Sequence, residues 1–140
     1  MKEIGIINRE IAKAISEQGH HDLLMVCDAG FATPKDVEVI DISMKENQPT
    51  VVEFLNELTK YFSVEKVILA NQTRETNPSY FKKIIETFND SPEVETLDHS
   101  ELKKLSKSVK AIIRTGDFTA YANIIMVSGA GDRWYLESEQ

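Results

Sequence analysis

Residues 19–31 read GHHDLLMVCDAGF. Within them Leu23 to Cys27 form a short, continuous apolar run. A run of this length, bounded by polar residues, is the signature of a strand covered on both faces, as in parallel sheets flanked by helices. The rest of the chain extends that pattern. Asn8 suits a helix N-cap, with Glu10 near the positive end of the dipole and Ile7, Ile11, Ala14 and Ile15 at helical spacing. Gly19 is a natural stop for that helix. Val37 to Ile42 alternates like a second strand. Thr50 and Glu53 have capping-box spacing ahead of the stripe Val51, Leu55, Leu58 and Phe62. Lys66 to Ala70 reads as another buried strand. Asn77-Pro78 opens a helix carrying Phe81, Ile84, Ile85 and Phe88. Glu93 to Leu97, Ala111 to Arg114 and Asn123 to Val127 read as strands, and Asp98 with Glu101 starts a helix between the first two.

Strands and helices therefore alternate almost throughout. The expected fold is α/β, a three-layer sandwich with a largely parallel central sheet flanked by helices. In such sheets ligands lie beyond the carboxyl ends of the strands. This directs attention to Asp28, Asn71, the 97–99 turn and the loop after Arg114.

The chain has 140 residues, 41% of them hydrophobic and 28% charged, with a net charge of -7. One domain spanning 1–140 is expected, with a core over about 4–129 and a C-terminal extension over 130–140. The acidic balance argues against a nucleic-acid partner. Lys103, Lys104, Lys107 and Lys110 read as a solvated helix face. No apolar stretch approaches the ~20 residues of a membrane helix. With no signal-peptide pattern and Cys27 as the sole cysteine, the expectation is a soluble, cytoplasmic protein.

Several residue types invite chemistry. His20 and His21 suit proton transfer near neutral pH, or else a helix C-terminus whose dipole favours imidazolium. Adjacent histidines are expected to point apart, so a metal held through both is not expected. Cys27, at the end of an apolar run beside a carboxylate, reads as a buried thiol rather than a nucleophile. Asp28 could accept hydrogen bonds from hydroxyls, act as a base, or brace the following loop. Ser128 to Trp134 contains glycines but fits neither a dinucleotide nor a phosphate-loop pattern. No nucleophile elbow is present. Arg114 to Ile125, RTGDFTAYANII, is the densest polar stretch. In extended chain its Tyr121 and Asn123 would face one way and suit a polyhydroxylated ligand. It could equally be a hairpin loop with a packed tyrosine.

Taken together, GIINREIAKAISEQGHHD, VCDAG, DHSELKK and RTGDFTAYANII resemble the RbsD/FucU family of sugar mutarotases, on its ribose branch. The resemblance covers about residues 4 to 129. It implies a cofactor-independent isomerase that interconverts pyranose and furanose forms, or anomers, of a free monosaccharide. D-ribose is the sugar it favours. Another pentose, a 6-deoxyhexose such as fucose, or a non-catalytic sugar-binding protein associated with uptake are the alternatives. It implies that His20 is the acid–base catalyst, and that Asp28, His99, Tyr121, Ala122 and Asn123 contact the sugar. It also implies a homo-oligomeric ring, a decamer or similar, with sites near subunit boundaries, and no metal or other cofactor. The chain departs from the family pattern at Phe31-Ala32-Thr33-Pro34, at Asn71-Gln72 and at Ala120. One length matters here: eight extended residues from His20 to Asp28 span up to ~26 Å at ~3.3 Å each, far more than a monosaccharide. The chain must turn sharply at His21-Asp22, or the two residues must reach one sugar from different subunits.

Overall fold

The computed structural model describes residues 1–137; positions 138–140 of the expected extension lie outside the described residues. Six strands form one sheet: β1 (Leu23–Cys27), β2 (Glu38–Asp41), β3 (Val64–Ala70), β4 (Glu93–Leu97), β5 (Ala111–Arg114) and β6 (Ile124–Ser128). Their spatial order is β2-β5-β1-β6-β3-β4. Among the described residues five α-helices accompany them: α1 (Arg9–Ser16), α2 (Val51–Leu58), α3 (Asn71–Thr76), α4 (Pro78–Glu86) and α5 (His99–Leu105).

The apolar run of β1 sits mid-sheet. Leu24 and Val26 face one side, Met25 and Cys27 the other, and all four are fully buried. Burying such side chains contributes about 1.5–3 kcal/mol each. The first side is closed by Ile11 and Ala14 of α1, by α2 and by Ile84 of α4. The second is closed chiefly by Leu102 of α5 with Phe31 and Val109. The three-layer α/β expectation is therefore met.

The sheet is mostly parallel with one internal exception. β6 runs antiparallel to both of its neighbours, β1 and β3. It is not the second arm of a hairpin with β5, because β1 lies between them. The reversal brings residues 121–123, which precede β6, to the edge where β1, β3 and β5 end.

Local expectations fare well where caps are strong. Thr50 and Glu53 form the capping box of α2. Asn8 caps α1 and Asp98 caps α5 through their side chains. Asn77 differs: its side-chain amide donates to the Ala120 carbonyl at 2.8 Å rather than capping α4. Phe62 lies beyond the end of α2, and Phe54 takes its place in the buried stripe. Helix α3, immediately after β3, has no apolar stripe in sequence, NQTRET, and only Thr73 is buried. The lysine face is also only partly a face. Lys110 lies past α5 and pairs with Asp22 at 2.8 Å.

Candidate functional site

Two polar loci flank the sheet, one at each end of β1. At the carboxyl end, the Asp28 amide donates to Asn123 Oδ1 at 2.9 Å. The Gly30 amide returns a bond to Asp28 Oδ1 at 3.0 Å, closing the loop on itself. Asp28 is only 9% exposed. Burial raises its carboxyl above the ordinary value, opposed by the amides of Gly30, Phe31 and Ala122 and assisted by the nearby Asp117 carboxylate. A carboxylate held this way keeps hydrogen-bonding capacity for a ligand hydroxyl.

His99 opens α5. Its amide donates to Gln72 Oε1 at 2.9 Å, and Gln72 Nε2 donates to Asp98 Oδ1 at 2.9 Å, so α3 and α5 hold each other. The imidazole stands edge-on to Tyr121, with centroids 5.1 Å apart, and edge-on to Phe31 at 6.1 Å. His99 Nδ1 is buried with no partner among the described residues. Tyr121 adopts φ 60°, a left-handed conformation that costs a side-chain-bearing residue about 1–2 kcal/mol. Its carbonyl accepts from Thr73 Oγ1 at 2.6 Å. The extended geometry expected across Tyr121 and Asn123 is thus corrected: the backbone turns at Tyr121. Ala122 is fully buried in the core, so any ligand contact it makes is through the main chain.

Asp28, His99, Tyr121 and Asn123 converge on one open depression of about 340 Å³, with Phe31 and Lys103 in its wall. That volume lies at the small end of ligand sites, ~300–1,000 Å³. Lys103, which the sequence reads as part of a solvated face, stands four residues after His99, one helical turn away, and that spacing is the signal that places it here. Arg114 and Asp117 brace the same edge. The Arg114 guanidinium donates to Asp41 at 2.9 Å and to the Ala29 carbonyl at 2.9 Å. Asp117 is buried, accepts from the Val51 amide at 2.8 Å and from Tyr80 Oη, and its carbonyl takes the Ala29 amide at 2.9 Å. Gly116 lets this loop pass: a Cβ there would lie 2.4 Å from the Lys45 carbonyl.

His20 lies elsewhere. It precedes β1, at the edge where β6 ends and β3 begins. The chain does turn there, with the Asp22 amide on the Gly19 carbonyl at 3.1 Å, and His21 takes φ 73° while its amide donates to Ser128 at 2.7 Å. The turn does not carry His20 to Asp28; the length of β1, about 17 Å for five residues, stays between them. The two histidines do not point apart as expected. Their rings lie 4.0 Å apart, and both meet Glu65 on β3. His21 Nε2 is 2.7 Å from Glu65 Oε1, and His20 Nε2 is 3.8 Å from Oε2. These donor atoms all fall within 4.8 Å of one another. Glu65 is the residue that joins them; the sequence reading misses it because it stands one residue ahead of the apolar run read there as a strand, whereas β3 begins at Val64.

Among the described residues no helix is long and apolar enough to cross a membrane. Comparison with known proteins gives a consistent result. The profile of the RbsD / FucU transport protein family matches residues 1–131. A D-ribose pyranase from Kosmotoga olearia is 42% identical over 130 residues, covering 92% of this chain and 98% of its own. The structure of Bacillus subtilis RbsD complexed with D-ribose superposes with a TM-score of 0.88 at 39% identity, covering 94% of this chain and 99% of that one. A fucose mutarotase from Streptococcus pneumoniae, in complex with L-fucose, shares the fold at a TM-score of 0.70 and 19% identity, over 89% and 94% of the two chains.

Proposed function

Because the chain belongs to the RbsD / FucU transport protein family, we propose that it interconverts the pyranose and furanose forms of D-ribose. The observation that carries this is the 39% identical relative holding D-ribose on the same fold, together with the depression formed by Asp28, His99, Tyr121 and Asn123. The chemistry suits these residue types. Opening a cyclic hemiacetal takes the proton from the anomeric hydroxyl and gives one to the ring oxygen as the C1–O bond breaks. Closing on a different hydroxyl reverses both transfers. An imidazole can do each in turn, and a carboxylate, an amide and a phenol can hold the remaining hydroxyls in register.

In this reading His20 moves the protons, and Asp28, His99, Tyr121, the Ala122 main chain and Asn123 hold the sugar. Since β1 separates His20 from the others, the site is completed by His20 of a neighbouring copy in a homo-oligomeric ring. The free, buried Cys27 is compatible with a reducing compartment, and the proposal places the protein in the cytoplasm.

Exchange NMR on D-ribose tests this. Accelerated pyranose–furanose exchange, lost in His20→Ala, is the expected result. Binding without acceleration would leave a sugar-binding protein. Faster exchange of L-fucose than of D-ribose would move the substrate to the other branch.

A further inference from the structure

We propose that Glu65 is the positioning residue for His20, acting through a Glu65-bridged imidazole pair in which His21 is the anchored member. This assignment rests on the reading that His20 moves the protons. Glu65 projects from the start of β3 at a shift in register: β6 pairs with Val64 and with Lys66 on either side of it, and pairing with β4 begins only at Lys66, an irregularity of the kind that re-aims a side chain. Gly129, at the end of β6, leaves the space it occupies: a Cβ there would lie 2.4 Å from Glu65 Oε2. One oxygen stands 2.7 Å from His21 Nε2, close enough to take a proton carried there. The other stands 3.8 Å from His20 Nε2.

The backbone is arranged around this contact. His21 holds its left-handed φ of 73° between two anchors, its own amide on Ser128 and the Ser128 amide on the Asp22 carbonyl at 2.9 Å. Strain kept in place by surrounding bonds points to a side chain that must face one way. Here that way is Glu65. His20 then packs its ring on the His21 ring at 4.0 Å, tilted by 50°. When His20 takes the anomeric proton it becomes a cation, and the second Glu65 oxygen already stands beside it. When it gives that proton to the ring oxygen, neutrality returns. Charge that appears during the reaction is thus met by a group oriented beforehand.

Few other groups compete. The groove beside His20 is lined by Gln18, Tyr61, Ser128 and Trp134, none of which carries a carboxylate, an ammonium or an imidazole. Asp22, two residues on, is engaged by Lys110 at 2.8 Å. A divalent metal could draw on the same three side chains, whose ligand atoms lie within 4.8 Å of one another, and the test below separates that use from this one.

The test compares wild type, His20→Ala, Glu65→Gln and Glu65→Asp in the D-ribose exchange assay, with imidazole nitrogen–proton spectra of each. Glu65→Gln is expected to lower kcat roughly tenfold or more, a part of the ~10²–10⁴ that acid–base catalysis supplies, with KM unchanged. Glu65→Asp recovers part of it. The His21 Nε2 proton resonance, shifted downfield in wild type, moves in Glu65→Gln. If wild type accelerates exchange and Glu65→Gln matches it in kcat, or leaves the His21 resonance in place, the assignment is overturned and the isomerase reading stands. If wild type leaves exchange at its rate in water, the isomerase reading falls and takes this assignment with it. Loss of wild-type activity on removing zinc with a chelator would also overturn it, by making the trio a metal site.

Discussion

The Asp28 main chain and the Asn123 side chain meet at 2.9 Å across 95 residues of sequence, tying the end of β1 to the start of β6. Asn123 is 1% exposed, so its amide serves the protein first. Replacing it with alanine strands a buried N–H, which costs about 1–3 kcal/mol. Asn123→Ala is expected to unfold at a lower temperature and to bind D-ribose more weakly, measured by calorimetry on the free and sugar-saturated protein.

Asp28 itself is a stability cost near neutral pH. Its folded-state carboxyl titrates above the ordinary value, chiefly because it is buried. The folded protein therefore binds this proton more tightly than the unfolded chain. Stability from this group is full below the unfolded value, about 3.9, and falls as pH rises through the folded one. Asp28→Asn, which keeps the acceptor for Gly30, is expected to melt higher than wild type at pH 7. The gap should close below about pH 4, while sugar exchange is lost. A variant that melts lower than wild type at pH 7 contradicts this.

Asp117 joins the 114–123 loop to α2 and α4 through Val51 and Tyr80. Burial first, then the Asp117 contact, raises the Tyr80 phenol well above its usual range. It therefore stays a donor throughout the working range. Tyr80→Phe removes one bond to a charged acceptor, about 1.5–3 kcal/mol. Chemical unfolding should show that loss with an unchanged denaturant slope.

Cys27 is fully enclosed, and burial, ahead of the Asp28 charge, pushes its thiol up to about 12. Only thiolate reacts readily. A thiol reagent is expected to modify it only after denaturant is added. Rapid labelling of native protein would show that the β1 strand opens locally.

The proposal that His20 and Asp28 reach one sugar from different copies makes a combinatorial prediction. His20→Ala and Asp28→Asn should each be inactive as pure assemblies. Refolded together, they should regain part of the wild-type exchange rate, since some interfaces then pair an intact His20 with an intact Asp28. No recovery in verified mixed assemblies would place both residues within one protomer's site.

Much of this was legible in the residues. Caps at Asn8, Thr50 and Asp98 carry their signal locally, so the helix starts stand where the sequence puts them. The run from Leu23 to Cys27 announces burial on both faces and has it. What local pattern does not encode is strand direction. Nothing within IIMVS distinguishes a parallel strand from β6 as found, because its residues are apolar on both faces either way. That one missing fact also hid the partners of the histidines: Glu65 and Ser128 reach them only because β6 lies between β1 and β3. Lys103 was concealed differently, by neighbours Lys104 and Lys107 that make it resemble a solvated charge run.

Strand β1 has one more consequence. With His20 as proton carrier and Asp28 as sugar contact, it makes each chain a two-ended body, with a donor end at His20 and an acceptor end at Asp28, and a rigid spacer fixed by strand length between them. If copies join donor end to acceptor end, an open row of protomers always wastes one of each. A closed circuit wastes none. On the shared-site reading, ring closure is then a matter of stoichiometry as much as of stability: it is the arrangement in which every protein chain completes a site.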